Sequence, residues 1–485
     1  MLKEKNSVEE INETVKKNEE YIVDIIDYGA DGEGIAKING YTVFVIGAIK
    51  GEKCKIHITK VQKDYGFART IQVLTKSNYR ITPDCSTYPR CGGCMLRHIA
   101  YDETLKIKQN KIQNLANKMI NVKNNLKENV NIDNKVNVQK TIGMQSPLYY
   151  RNKAIYPINK NKEVGIFASR SHEIIPIKEC KIQTLNSQKI AKYIAQNWND
   201  SIYDEKTKKG LLRNIMIREG FKSKEIMVVL VQNGTQNCIQ NKEQGNQKNK
   251  YYGLKSLNIE KLVMEFPNIK TVVVNVNTQN TNVVLSRENI VIYGEGYITD
   301  KLGEYTFNIS PNSFYQVNPV QTEKIYNLAI EKANLKKTDV LCDLYCGIGT
   351  IGIFASKYVS KVYGIEIVSE AITDAKENAR INNIDNVEFI KGDVETAFDT
   401  LLENKVIPNV VIVDPPRKGL DENTVKNLCK LKLEKLVYVS CNPATLMRDL
   451  QKLNEIYDIT SITPVDNFCY SSHVECVVLM SKVQK

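Results

Sequence analysis

The sequence has no long apolar run, so no segment of it reads as a membrane span. Its start, MLKEKNSVEE, lacks the apolar stretch of a secretory leader. Both absences point to a cytoplasmic protein. A disulfide framework is lacking too. The 12 cysteines are spread over 485 residues, and in a cytosolic chain that leaves metal binding, catalysis or simple burial for them. Acidic residues are the minority charge: 67 Lys and Arg against 55 Asp and Glu leave a formal +12. That balance suits an anionic partner, nucleic acid first, although a lysine- and asparagine-rich background accounts for part of it. The length allows roughly two to four domains with cores of their own.

What is present is organised around TDVLCDLYCGIGT, residues 338–350. Val340 and Leu341 supply a short strand that Asp343 to Tyr345 end. Gly347 and Gly349 let the backbone turn and come close to a ligand, and Ile351 to Tyr358 continue as a helix. Such a turn holds nucleotide-like ligands in doubly wound α/β domains. On its own it is a weak signal. A second strand, KVYGIEI, ends in Glu366, an acid able to accept hydrogen bonds from both ribose hydroxyls of an adenosine. NVEFIKGDVET gives a third strand with Asp393 past its end. VVIVDPPRKG gives a fourth running into Asp414, and KLVYVSCNPATLMRDL a fifth ending at Cys441. The alternation of strands and helices predicts a parallel sheet. Gly347, Glu366, Asp393, Asp414 and Cys441 all fall at carboxyl ends of its strands, where ligands of such sheets bind.

DLYCGIGT, the acid of IEI, VDPPRKG, SCNPATLMRDL and SSHVECVVL together resemble the S-adenosylmethionine-dependent RNA uracil-5-methyltransferases. The pairing of SCNPATLMRD with HVE is the most specific part. The resemblance implies a Rossmann-like methyltransferase domain over 306–485, entered through FNISPNSFYQVN. It implies Gln316, Tyr345, Gly347, Gly349, Glu366, Asp393 and Asp414 at the cofactor, with Phe314 walling the pocket; for Phe314, ordinary core packing is the competing reading. Carbon-5 of uracil is too weak a nucleophile to take a methyl group directly. A thiolate adding to carbon-6 makes carbon-5 nucleophilic, and a base must afterwards remove the carbon-5 proton. Cys441 is placed as that nucleophile, and the resemblance implies Glu475 as the base, with His473 its local rival. Asp414 and Arg417 are expected at the same mouth. One departure stands out: Cys469 lies where the family has proline, which predicts a looser loop before HVE.

Upstream, YIVDIIDYG, GIAKING, YTVFVIGAI, EKCKIHITKVQ and FARTIQVL read as five short strands of a small OB-like barrel over 14–75, resembling the RNA-binding TRAM domain. Lys50, Lys53, Lys55, Lys60, Lys63 and Arg69 there are placed to track phosphates, though each singly reads equally as solvated surface. Cys85, Cys91 and Cys94 follow with C-x5-C-x2-C spacing, and Cys180 lies far downstream. Four thiolates suit zinc or a 4Fe–4S cluster, and spacing alone does not choose. The resemblance to the ribosomal RNA branch of the family implies the iron–sulfur cluster, with zinc as the alternative. A basic helix and solvated linker follow from Met95 to about Lys140, then a mostly antiparallel sheet within a central domain, 76–305, and a loop over 232–250. Arg151, Lys153, Arg170, Arg213 and Arg218 are candidates for RNA contact there.

The reading is therefore methyl transfer to carbon-5 of a uridine in 23S ribosomal RNA by a monomer. A transfer RNA uracil-5-methyltransferase and a non-catalytic ribosome-assembly factor are the alternatives. An exocyclic-amine methyltransferase also uses an Asp-Pro-Pro turn. It follows that turn with an aromatic residue, where this chain has Arg417, and it needs no cysteine like Cys441.

Overall fold

A computed structural model of the chain describes residues 15–120, 136–169, 171–234, 257–431 and 433–482. They form two compact units. The first takes the described chain up to Asp84, then Gly93–Ile107 and Tyr470–Ser472. The second takes the remainder. None of the described helices is long and apolar enough to cross a membrane.

In the first unit, strict alternation builds a six-stranded sheet. Val43, Val45, Ile56, Ile58 and Ala68 point into the core, while Phe44, Ile46, Phe67 and Arg69 point out. The strands are β1 (Glu20–Asp24), β2 (Asp27–Tyr28), β3 (Gly34–Ile38), β4 (Tyr41–Ile46), β5 (Lys53–Val61) and β6 (Tyr65–Thr75), in the order β1-β5-β6-β4-β3-β2. The first of the five expected runs splits into two strands at Ile25 and Ile26. Helix α1 (Tyr101–Met119) follows the cysteine-bearing segment; the linker beyond residue 120 lies outside the described residues.

The second unit holds two large sheets. The first contains β7 (Lys153–Pro157), β10 (Leu212–Glu219), β11 (Ile226–Gln232), β12 (Ile269–Val276) and β13 (Asn289–Tyr293), ordered β13-β12-β11-β10-β7. Its pairs are antiparallel apart from β11 against β12. The small hairpins β8 (Gly165–Phe167) with β9 (Ile174–Pro176), and β14 (Ile298–Leu302) with β15 (Tyr305–Ile309), flank it, as do helices α2 (Leu185–Asn197) and α3 (Ile259–Glu265). The expected loop over 232–250 lies almost wholly outside the described residues.

The other sheet has seven strands: β16 (Val340–Leu344), β17 (Lys361–Glu366), β18 (Val387–Lys391), β19 (Val410–Val413), β20 (Lys435–Ser440), β21 (Tyr457–Val465) and β22 (Glu475–Lys482). The order is β18-β17-β16-β19-β20-β22-β21. The first five of that order are parallel, and β22 runs antiparallel to both its neighbours. Leu341, Val362, Ile412, Val437 and Val477 face one core, and Leu344, Ile365, Val413, Tyr438 and Val478 the other, so helices cover both faces. These are α4 (Pro319–Ala333), α5 (Thr350–Ser356), α6 (Ser369–Ile381), α7 (Val394–Glu403), α8 (Glu422–Leu431) and α9 (Pro443–Leu453). The strand order reverses between β16 and β19, which opens a crevice at their carboxyl ends. Met216, Met227 and Val229 of the central sheet share one continuous core with Phe307, Leu341 and Val437.

Candidate active site

The glycine turn is shaped by backbone demands. Tyr345, Gly347 and Gly349 all have positive φ, at 66°, 54° and 80°. A β-carbon on Gly349 would lie 2.6 Å from the Phe389 ring, whereas one on Gly347 would meet nothing within 4 Å. One glycine is thus required by packing, and the other leaves open space beside the backbone. The Gly347 N–H donates to Glu366 Oε2 at 3.1 Å, and the Val368 N–H donates to Oε1 at 2.9 Å, fixing the carboxylate at the end of β17. Gly347 and Glu366 line a cavity of about 310 Å3 together with Phe314, Val368, Ser313 and Asp374. Phe314 is 69% exposed, so it walls this cavity rather than packing in the core.

The other cofactor candidates do not line this cavity, and each has partners of its own. Asp393 caps α7, accepting the Glu395 N–H at 3.0 Å. The Tyr345 hydroxyl donates to Asp421 at 3.3 Å. Gln316 turns its Oε1 toward the Asn467 amide, 3.5 Å away. Beneath the turn lies Asp343, which sequence reasoning took only as the strand's end. It is fully buried. Oδ2 accepts the Gly352 N–H at 2.8 Å, and Oδ1 has no hydrogen-bond partner. Burial pushes its carboxyl up to about 8, with Asp414 and Glu366 adding to the effect.

Cys441 and Glu475 are brought together by strand register. Ser440, the last residue of β20, pairs with Cys476 of β22. One step further along this antiparallel ladder sets Cys441 against Glu475. Asp414 leaves the neighbouring strand β19 at the same end. Burial pushes the Cys441 thiol up to about 11; Glu475 and Asp414 push the same way, and the Arg417 guanidinium opposes them. Glu475 is 2% exposed and is held at about 8 by burial and Asp414, against an Asn467 hydrogen bond and Arg417. Burial raises Asp414 to about 7. Near neutral pH, then, one thiol and two carboxyls share a crevice and each holds its proton more tightly than in water. His473, the rival base, is exposed against the edge of Phe468, 6.0 Å between ring centroids.

The loops carrying these groups are tied to one another. Asn442 caps α9 through the Ala444 N–H, and its amide donates to the Arg417 carbonyl at 2.8 Å. Asp449 accepts the Leu420 N–H at 2.9 Å and the Tyr438 hydroxyl at 2.7 Å, anchoring the far side of the Asp414–Gly419 turn. On the Glu475 side, Lys108 of α1 and Asp466 form a fully buried ion pair of 2.5 Å, and Lys108 also donates to the Phe468 carbonyl. Cys469 is buried, and its carbonyl accepts from the Tyr150 hydroxyl at 3.3 Å. The looser loop expected from the missing proline is not found, because these bonds pin it. Lys108, Asp449, Asp466 and Asn467 were missed by sequence reasoning. Of these, Asp449 alone had a local signal, the LMRD run.

Two RNA-contact candidates are corrected. Arg218 is buried and donates to the Ser310 and Ser313 carbonyls. Arg213 is buried and donates to the Asn277 and Gln279 carbonyls beneath the Tyr203 ring. Both clamp backbone, as cross-strand alternation at a covered face dictates. Arg170 lies outside the described residues. In the first unit, Lys50 and Lys55 are paired with Asp27 and Glu20, which leaves Lys53, Lys60, Lys63 and Arg69 without acidic partners among the described residues. Cys342, Cys346 and Cys476 are buried.

Among the described residues, no group of three or more His, Cys, Asp or Glu side chains is drawn together tightly enough to hold a metal ion. Cys85, Cys91 and Cys180 belong to the second unit and Cys94 to the first. The donor chemistry nonetheless suits a thiolate-held group. Burial raises the Cys180 thiol and Cys85 and Cys91 add to it, while the Ile182 and Gln183 N–H groups bond the sulfur and oppose the rise. Gly92, between Cys91 and Cys94 in sequence, has φ 67°.

Comparison with known proteins agrees with this geometry. The family model for tRNA (uracil-5-)-methyltransferase matches residues 258–483, and that for the TRAM domain matches residues 14–71. An RNA methyltransferase of Clostridium tetani, itself uncharacterised, is 44% identical over 96% of this chain and 97% of its own. Another, of Clostridium acetobutylicum, is 42% identical over 97% and 99%. Among solved structures, the tRNA (uracil-54, C5)-methyltransferase of Pyrococcus abyssi, in complex with S-adenosyl-L-homocysteine, is 25% identical with a TM-score of 0.70, over 95% of this chain and 100% of that one. The chain belongs to the RNA uracil-5-methyltransferase family and is an S-adenosylmethionine-dependent RNA methyltransferase with a TRAM domain.

Proposed function

We propose that the protein methylates carbon-5 of a specific uridine in 23S ribosomal RNA, with Cys441 as nucleophile and Glu475 as base. The observation that carries this is the β20–β22 register, which sets a half-buried thiol against a buried carboxyl at the sheet's open end. S-adenosylmethionine supplies an electrophilic methyl group; Gly347, Glu366 and Phe314, which line one cavity, would hold it, and the resemblance adds Gln316, Tyr345, Gly349, Asp393 and Asp414. The uridine leaves its stack and enters the crevice. Cys441 loses its proton and its sulfur bonds to carbon-6. The electron pair moves to carbon-5, which takes the methyl group; the methyl–sulfur bond breaks, its electron pair stays on sulfur, and S-adenosyl-L-homocysteine would leave. Glu475 removes the carbon-5 proton, the ring double bond re-forms and the thiolate leaves. Arg417 steadies the thiolate and the uracil oxygen charge by Coulomb attraction.

Ribosomal RNA is preferred because the TRAM domain and the four-cysteine spacing occur together. Transfer RNA is the second reading, favoured by the similarity to an enzyme of that substrate class over nearly the whole chain. Cys85, Cys91, Cys94 and Cys180 are read as ligands of a 4Fe–4S cluster, or of zinc; this set rests on spacing and resemblance. Iron and acid-labile sulfide, or zinc, measured in anaerobically purified protein decides it.

The reaction test uses RNA carrying tritium at uracil carbon-5, from cells lacking this protein. Tritium release into water on addition of enzyme and S-adenosylmethionine is expected from 23S RNA. Release from transfer RNA alone would keep the chemistry and overturn the substrate. Methyl incorporation without release would overturn the Cys441 mechanism. Cys441→Ala is expected to abolish release while RNA binding survives.

A further inference from the structure

Lys153 opens β7 directly across from Arg218 of β10, so the two side chains share one face of the central sheet. Arg151 stands two residues earlier. None of these cations has a carboxylate partner among the described residues. Arg218 spends its two terminal nitrogens on the Ser310 and Ser313 carbonyls, and its Nε is buried with no acceptor. Lys153 and Arg151 are half-buried, and no acceptor for either side chain is found among the described residues. Burial lowers Lys153 to about 7, and Arg218 and Arg151 lower it further. A cluster of like charges held out of water without a counter-ion is unfavourable unless an anion completes it.

The position of the cluster says which anion. The neighbouring residue Asn152 bonds the segment between the cofactor cavity and the Glu475 site, its side-chain amide donating to the Gln316 carbonyl and its backbone N–H to the Val317 carbonyl. Arg218 holds the start of the same segment at Ser313, next to Phe314 of the cavity wall. Lys153 and Arg151 do not line that cavity. We propose that Arg151, Lys153 and Arg218 form a phosphate site that grips the RNA backbone beside the flipped uridine. Arg151 and Lys153 donate to the phosphate oxygens, while Arg218 supplies fixed positive charge behind them. This rests on the methyl-transfer reading only in taking RNA as the substrate.

An oxyanion could also come from the carboxylate of S-adenosylmethionine, and the test separates the two. Binding of a 23S RNA transcript to the full-length protein is measured over a KCl series without S-adenosylmethionine. Affinity for S-adenosylmethionine is measured separately without RNA. Lys153→Met is expected to weaken RNA binding about tenfold. The slope of log Kd against log salt should fall by about 0.7 to 1, the loss of one phosphate contact. Lys153→Arg should restore both, and S-adenosylmethionine affinity should not change. RNA affinity within twofold of the parent with an unchanged slope would overturn the site. So would a loss confined to S-adenosylmethionine, which would reassign the cations to that carboxylate. Should Lys153→Met fail to fold, Arg151→Gln carries the same slope criterion. Because no turnover is measured, absence of tritium release would sink the methylation reading and leave this one standing, and the reverse holds too.

Discussion

Two glycines a single residue apart have different jobs, and alanine separates them. At Gly349 a methyl group would press into Phe389 at 2.6 Å with φ held at 80°. Gly349→Ala should lower thermal stability, by about 2 kcal/mol or more from strain and overlap together. At Gly347 the space is open, so alanine costs only the left-handed conformation, about 1 kcal/mol. Its methyl would instead occupy the cavity, and S-adenosylmethionine affinity should fall about tenfold with little change in melting temperature. Calorimetry and ligand titration on both variants check this; equal effects of the two would refute it. The pH dependence follows from the crevice carboxyls and thiol. In the proposed roles Cys441, near 11, and Glu475, near 8, must both be ionised. Tritium-release kcat/KM should therefore climb from about pH 6 to about pH 9, and a profile falling over that range would contradict the roles given. Folding stability runs the other way. Glu475 ionises near 4.3 when unfolded, so between about 4.3 and 8 the folded state keeps a proton that the unfolded state has released. Stability falls as pH rises through that window, and Glu475→Gln should melt higher than the parent at about pH 8. Local motifs made Gly347, Glu366, Cys441 and Glu475 legible before any coordinates. The elevated proton affinities of Cys441 and Glu475 were not legible, because they come from burial.

At the scale of elements, the parallel strands β16 to β20 were legible because each is a short, largely apolar run closed by a glycine, an acid or, for β20, Cys441, with a helix after it. The antiparallel closure by β21 and β22 was not. SSHVECVVL was informative as a motif, but nothing local in it says that Cys476 pairs with Ser440. Lys108 is the sharper case. It sits in a lysine-rich helix, where a lysine ordinarily reads as solvated, and its partner Asp466 is 358 residues away. That pair holds the turn between β21 and the start of β22, and so the approach to Glu475. Lys108→Ala would take the cation away from the buried Asp466 carboxylate, and the expected loss is about 3–5 kcal/mol in chemical denaturation. Lys108→Met with Asp466→Leu removes both charges and should recover much of that stability. If the double variant were no better than the single one, the pair would not be what holds the turn.

At the scale of the whole molecule, the family model places the TRAM domain at residues 14–71, which invites removing it at about residue 76 to ask what it contributes to RNA binding. The compact unit is larger than that match. Its core includes Leu96, Ile99 and Ile107, buried with Ile49 and with Tyr28 packed against them. Glu52, 1% exposed, takes both a hydrogen bond and an ion pair from Arg80 on the far side of the cut. A chain starting at residue 77 would expose Leu96, Ile99 and Ile107 and remove the Glu52 carboxylate from Arg80. Three large apolar side chains brought to water cost about 1.5–3 kcal/mol each and create a sticky patch. The truncated protein should therefore aggregate or melt well below the parent, besides binding RNA more weakly. Point substitution of Lys53, Lys60, Lys63 and Arg69 to glutamine, which leaves that core intact, should instead weaken RNA binding and flatten its salt dependence at an unchanged melting temperature. A soluble truncation melting with the parent would show that the unit ends where the family match ends, and that residues 93–107 are held by something other than the TRAM core.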